Sequence, residues 1–138
     1  MSAFARESIP IGTQQHIVAR FFPPAGEARG AVLVVPAMGV TQAYYAPFAE
    51  WLAAQGFLAA TFDYRGIGQS RHGRLRRLKV DLLDWARQDC AAMIDAVTQR
   101  TGGKPLYWVG HSLGGQILTF VPNRERVSRV ITVATGSG

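Results

Sequence analysis

Ser112 sits in Gly110-His111-Ser112-Leu113-Gly114, a G-x-S-x-G arrangement inside the stretch LYWVGHSLGGQIL at 106–118. A serine hydroxyl is a weak nucleophile until a base takes its proton and, usually, an acid orients that base. An apolar run precedes the motif and another follows it, so strand, tight turn and helix are expected in succession. Gly110 and Gly114 leave room for the crowded backbone of such a turn, and the serine hydroxyl is pushed out towards a ligand. N–H groups at the start of the following helix, with the positive end of its dipole, are placed to stabilise an oxyanion near Ser112. Acyl transfer through serine is the chemistry these residue types allow.

Elements must present that turn, and the chain supplies them in alternation. SIPIGT and QHIVARFFPP read as two short antiparallel strands parted by Gly12, the second closed by Pro23 and Pro24. GAVLVVPA at 30–37 is a continuous β-branched apolar run, the pattern of a strand buried on both faces. A helix follows over 43–55, with Tyr45, Phe48 and Leu52 at helical spacing and Gly56 as its stop. FLAATFDY is the next buried strand, and 64–80 reads as irregular. A second helix starts near Asp81, whose charge and that of Asp84 suit a first turn, and carries the stripe Leu82, Ala86, Cys90, Met93 and Val97. It stops before Gly102, and PLYWVGH then forms a strand, LGGQILTF a helix ended by Pro122, and RVITVAT at 129–135 a last strand. Such alternation predicts an α/β fold with a mostly parallel sheet of about six strands and helices on both faces. Ligands gather at the carboxyl ends of strands in these sheets. Pro36 to Gly39, Asp63 to Ser70, Gly110 to Gly114 and Thr135 to Gly138 fall at those ends.

Composition narrows the function classes. The 138 residues, 48% of them apolar, are one domain's worth with a real core. The longest apolar stretch, 31–40, contains Pro36 and falls short of the ~18 residues of a membrane span. The N-terminus lacks a secretory h-region, and the single Cys90 rules out an intrachain disulfide, so a reducing cytoplasmic setting is expected. No Cys/His cluster has metal-ligand spacing, and no metal or cofactor is expected. Of the net charge of +6, five units come from Arg71, Arg74, Arg76, Arg77 and Lys79 in one acid-free run. That run could grip phosphates or anionic lipid. With no aromatic interleaving and no nucleic-acid motif, it reads instead as a solvated loop whose arginines face water or pair with nearby acids such as Asp81 and Asp84, and no nucleic-acid partner is expected.

Three motifs in order, VVPAMGV, FDYRGIGQS and VGHSLGG, resemble the oxyanion loop, the turn after the fourth strand and the nucleophile elbow of the α/β-hydrolase superfamily. Within it the chain resembles bacterial hydrolases of serine-aminopeptidase-like or monoacylglycerol-lipase-like type. That resemblance implies a serine hydrolase of ester, thioester or amide bonds working through an acyl-serine on a small-molecule acyl substrate. Ser112 would be the nucleophile, with the backbone N–H groups of Met38 and Leu113 as the oxyanion hole. Pro36 and Ala37 replace the usual His-Gly pair of the loop, yet position 38 keeps its N–H donor. Asp63 and Arg65 would pin the turn that Gly66 and Gly68 make possible, with a catalytic part the alternative. Tyr44, Tyr45 and Phe48 read as helix packing, with an acyl pocket as the other reading. The elbow does not separate hydrolase from acyltransferase.

The resemblance also implies a triad running Ser, Asp or Glu, then His along the chain. After Ser112 the sequence holds one carboxylate, Glu125, and no histidine. His16 and His72 lie in an early strand and the basic loop, and His111, next to the serine, is expected to point elsewhere. Residues 1–138 are therefore expected to be the N-terminal part of a single α/β-hydrolase domain, lacking the lid, the last strands and the triad's acid and histidine. Alone, the chain is expected to turn over little or nothing. The strand at 129–135 should form an apolar edge that favours self-association. The alternative reading is a non-catalytic binding module on a hydrolase scaffold.

Overall fold

The computed structural model describes residues 4–71 and 81–135. Six strands form one sheet in the order β1-β2-β4-β3-β5-β6. Strands β1 (Ala5–Ile11) and β2 (Gln15–Phe22) pair antiparallel, as do β2 and β4 (Leu58–Phe62). Strands β3 (Ala31–Val35), β4, β5 (Leu106–His111) and β6 (Arg129–Val133) are parallel to one another. Every residue of β3 and β4 is buried, which accounts for their unbroken apolar sequences.

Helix α1 (Ala46–Ala54) covers one face of the sheet, packing Ala49 and Leu52 with Tyr45 on Val32, Val34 and Val109. The other face carries the larger core, where Trp108, Met93, Ile94 and Val97 surround Leu33 and Phe62. That cover begins with α2 (Leu82–Asp84), capped by reciprocal hydrogen bonds between Asp81 and Asp84. It widens into a π-helical segment, Trp85–Cys90, and continues as α3 (Ala91–Thr101), ended by Gly102 at φ 59°. No helix among the described residues is long and apolar enough to cross a membrane.

The structure corrects four expectations. The helix expected over 43–55 is a 3-10 turn, Gln42–Tyr45, followed by α1, with Pro47 in the first turn. Phe48 and Leu82, expected on buried stripes, are exposed. The single helix expected over 113–120 is α4 (Leu113–Gln116) followed by a 3-10 segment, Ile117–Phe120. Gly114 and Gly115 weaken α-helix there, and Pro122 biases Val121 to the extended form it adopts. The last strand ends at Val133 rather than 135, because Ala134 takes a positive φ of 55°. The basic run lies, apart from Arg71, outside the described residues, and so does its expected pairing with Asp81 and Asp84.

Candidate active site

β3 and β5 are neighbours, and Val35 stands opposite Gly110 in their register. The loop after β3 and the turn after β5 therefore leave the sheet side by side. Ser112 is the first residue past β5 and adopts φ 53°, ψ −111°, a strained conformation for a residue with a side chain. Two contacts, one with β6 and one with a residue just past it, hold it. Its N–H donates to the Val133 carbonyl at 2.8 Å, and its carbonyl accepts from Thr135 Oγ1 at 3.1 Å.

The glycines of the motif are dictated by contact. A Cβ on Gly114 would run into the Val35 carbonyl oxygen, and one on Gly110 into the Gly114 carbonyl. A Cβ on Gly115 would meet Thr135 Oγ1. The turn is thus pressed against the end of β3, where the loop bearing Met38 begins. Trp108 clamps it from the core side, its Nε1 donating to the Gly114 carbonyl at 2.9 Å. Leu113 opens α4, so its N–H has no acceptor within the helix. With only four residues, α4 contributes these local N–H groups rather than the dipole of a long helix.

The loop after β3 turns tightly: Val40 N–H donates to the Ala37 carbonyl at 3.2 Å, with Gly39 at φ 76°. Among the described residues no hydrogen bond is recorded from the Met38 N–H, and the Met38 side chain faces solvent. Two tyrosines fix the loop. Tyr64 Oη donates to the Pro36 carbonyl at 3.0 Å, and Tyr45 Oη accepts from Ala37 N–H at 2.9 Å. Burial pushes both hydroxyls above their ordinary pKa, so they stay protonated at neutral pH. Neither role was signalled by the sequence, since each depends on a hydroxyl meeting a backbone group far along the chain.

His111 does not stand free as a base: its Nδ1 lies 2.9 Å from Tyr45 Oη, with the Tyr44 ring stacked on its imidazole. Tyr44, Tyr45 and Phe48 border an apolar groove of about 510 Å³ with Val109, His111 and Val133, so only Tyr45 among the three is mainly packing. Asp63 and Arg65 are spent on structure. The Asp63 carboxylate accepts from the N–H of Gln42 at 2.7 Å and of Gln69 at 3.0 Å, and Gly68 leaves it the room. Arg65 pairs with buried Asp89 at 2.6 Å. Among the described residues no group of His, Cys, Asp and Glu is arranged to hold a metal ion.

The serine aminopeptidase, S33, family matches residues 26–137. Cutinase 2 of Thermobifida cellulosilytica is 32% identical over 95 residues, 69% of this chain and 35% of its own length. Human monoglyceride lipase is 27% identical over 103 residues, 75% of this chain and 33% of its own. The chain spans about a third of the length of these curated relatives. A thermostable carboxyl esterase from Bacillus coagulans superposes with a TM-score of 0.77 at 21% identity, over 96% of this chain and 44% of its own. The lidless serine hydrolase XC6422 of Xanthomonas campestris gives 0.75 at 16% identity, over 100% of this chain and 64% of its own. At these identities the solved structures establish the fold, and the family match establishes the lineage. The chain belongs to the serine aminopeptidase, S33, family and has its α/β-hydrolase fold.

Proposed function

We propose that this chain carries the nucleophile and oxyanion hole of a serine hydrolase acting on ester, thioester or amide bonds. The observation that supports this most is the strained backbone of Ser112 at the carboxyl end of β5, pressed against the loop of Met38. In the reaction, Ser112 Oγ bonds to the substrate carbonyl carbon as its proton passes to a base, and the N–H groups of Met38 and Leu113 hold the oxyanion. Collapse expels the alcohol, thiol or amine with that proton, and water repeats the sequence on the acyl-serine. The base and its acid are not among residues 1–138 in this reading: no histidine follows Ser112, and the His111 ring is engaged by Tyr45. The 138-residue chain alone therefore turns over little or nothing. We further propose that the exposed edge of β6 pairs with a second copy of the chain.

The test is reaction of the chain with a fluorophosphonate, followed by intact mass, beside a short-chain aryl ester assay. Slow labelling abolished by Ser112→Ala, with no Ser112-dependent ester turnover, is expected. Labelling that survives Ser112→Ala overturns the nucleophile, and brisk turnover lost in Ser112→Ala overturns the missing base.

A further inference from the structure

We infer that Tyr45 is a positioning residue for the Ser112 site, its hydroxyl joining the oxyanion loop to the elbow through His111. The inference rests on the serine reading proposed above. Tyr45 lies at the end of the 3-10 turn before α1 and is 7% exposed. Its Oη meets two groups that are distant in sequence and adjacent to the chemistry. One is the N–H of Ala37, at 2.9 Å, in the residue before Met38. The other is Nδ1 of His111, at 2.9 Å, in the residue before Ser112. A single oxygen thus grips the chain just ahead of the nucleophile and of one candidate oxyanion donor, and two residues ahead of the other, Leu113.

The donor and acceptor capacities of the three groups fix the direction of the second bond. The Ala37 N–H has only itself to donate, so Tyr45 Oη is its acceptor, and the hydroxyl proton is left for His111 Nδ1. The neutral imidazole must then carry its proton on Nε2. The opposite arrangement, with Nδ1–H donating, leaves the tyrosine proton without a partner in a part-buried site. Ring contacts support the placement. Tyr45 meets His111 edge-on at 5.8 Å, while Tyr44, itself edge-on to Tyr45 at 5.1 Å, stacks with the imidazole at 6.4 Å. His111 is thereby an anchor, which explains why a ring beside the nucleophile is not its base. Because the oxyanion donors must be placed before charge develops, a small drift of either loop is costly.

The experiment has two arms on the full chain. In the first, long-range 1H–15N correlation on the wild-type protein reads the His111 tautomer, and a proton on Nε2 is expected. In the second, the fluorophosphonate labelling rate of Ser112 is measured for Tyr45→Phe, for His111→Leu and for the double variant, with thermal unfolding as the check on folding. Each single change is expected to slow labelling about tenfold. The double variant should be little slower than either, because both break one linkage. A ring proton on Nδ1, Ser112 labelling unchanged in Tyr45→Phe, or additive losses overturn the inference while leaving the serine reading intact. Labelling that does not depend on Ser112, or no labelling at all, overturns the serine reading and this inference with it.

Discussion

Arg65 Nε donates to Asp89 Oδ1 at 2.6 Å, and both side chains are buried, at 5% and 0% exposure. The pair ties the turn after β4 to the π-helical segment, and Asp89 Oδ2 also accepts from the Arg65 N–H at 2.8 Å. A buried ion pair is held at a cost, since both charges leave water. At Asp89 the cost is visible: burial outweighs the favourable Arg65 contacts and pushes the carboxyl up from 3.8 to about 6.

A pH dependence follows from that shift. The folded state holds the Asp89 proton to higher pH than the unfolded state, so this group favours folding most below pH 3.8 and loses that contribution as pH rises to about 6. Taking ~1.4 kcal/mol per pKa unit, the loss is on the order of 3 kcal/mol. Urea unfolding of the wild type and Asp89→Asn from pH 4 to 7 isolates it from the other acids. The stability difference, wild type minus variant, should fall across the interval and flatten above it. A difference constant with pH contradicts the assignment.

Strain at Ser112 should be recoverable as stability. A non-glycine residue in such a conformation costs about 1–3 kcal/mol, and glycine gives back part of the gain through its freer unfolded chain. Ser112→Gly should therefore raise the unfolding free energy by about 1 kcal/mol while abolishing fluorophosphonate labelling. Equilibrium denaturation decides it. If Ser112→Gly is less stable than the wild type, the φ of 53° is not a stored strain.

The outline of this fold was legible because burial writes itself into sequence. β3 and β4 are buried on both faces and read as unbroken apolar runs, and the G-x-S-x-G signature needs glycines that contacts with Val35 and Gly114 demand. What stayed hidden depends on a third dimension. Phe48 has helical spacing with Leu52, but it lies at the margin of what α1 covers and is 38% exposed. Nothing local in the sequence marks Asp89 as the buried partner of Arg65. The grip of Tyr45 on Ala37 and His111 joins three segments, and no local pattern encodes it.

Two glycines give opposite expectations. Gly114→Ala forces a methyl into the Val35 carbonyl, backbone that cannot swing aside, and should cost about 3 kcal/mol with loss of Ser112 reactivity. A Cβ on Gly26 meets nothing within 4 Å. Gly26→Ala should leave reactivity untouched and alter stability by less than about 1 kcal/mol, through the unfolded chain. Thermal unfolding with the labelling assay checks both, and a well-tolerated Gly114→Ala would mean that the turn is not pressed against β3.

The edge strand should govern association. β6 pairs with β5 on one side only among the described elements, and Val130, Ile131 and Val133 are 46%, 56% and 49% exposed. An edge of free N–H and C=O groups accepts another strand, and a two-fold pairing of β6 with its copy about Ile131 sets Arg129 opposite Val133. Like charges do not meet in that register, despite a net charge of +6. Ile131→Lys places two lysines face to face at the axis, while costing the monomer within about 0.5 kcal/mol because the site is exposed. Sedimentation equilibrium should show the wild type dimerising with concentration and the Ile131→Lys chain at least tenfold weaker. A wild type that stays monomeric, or an Ile131→Lys chain that dimerises equally well, removes β6 as the contact.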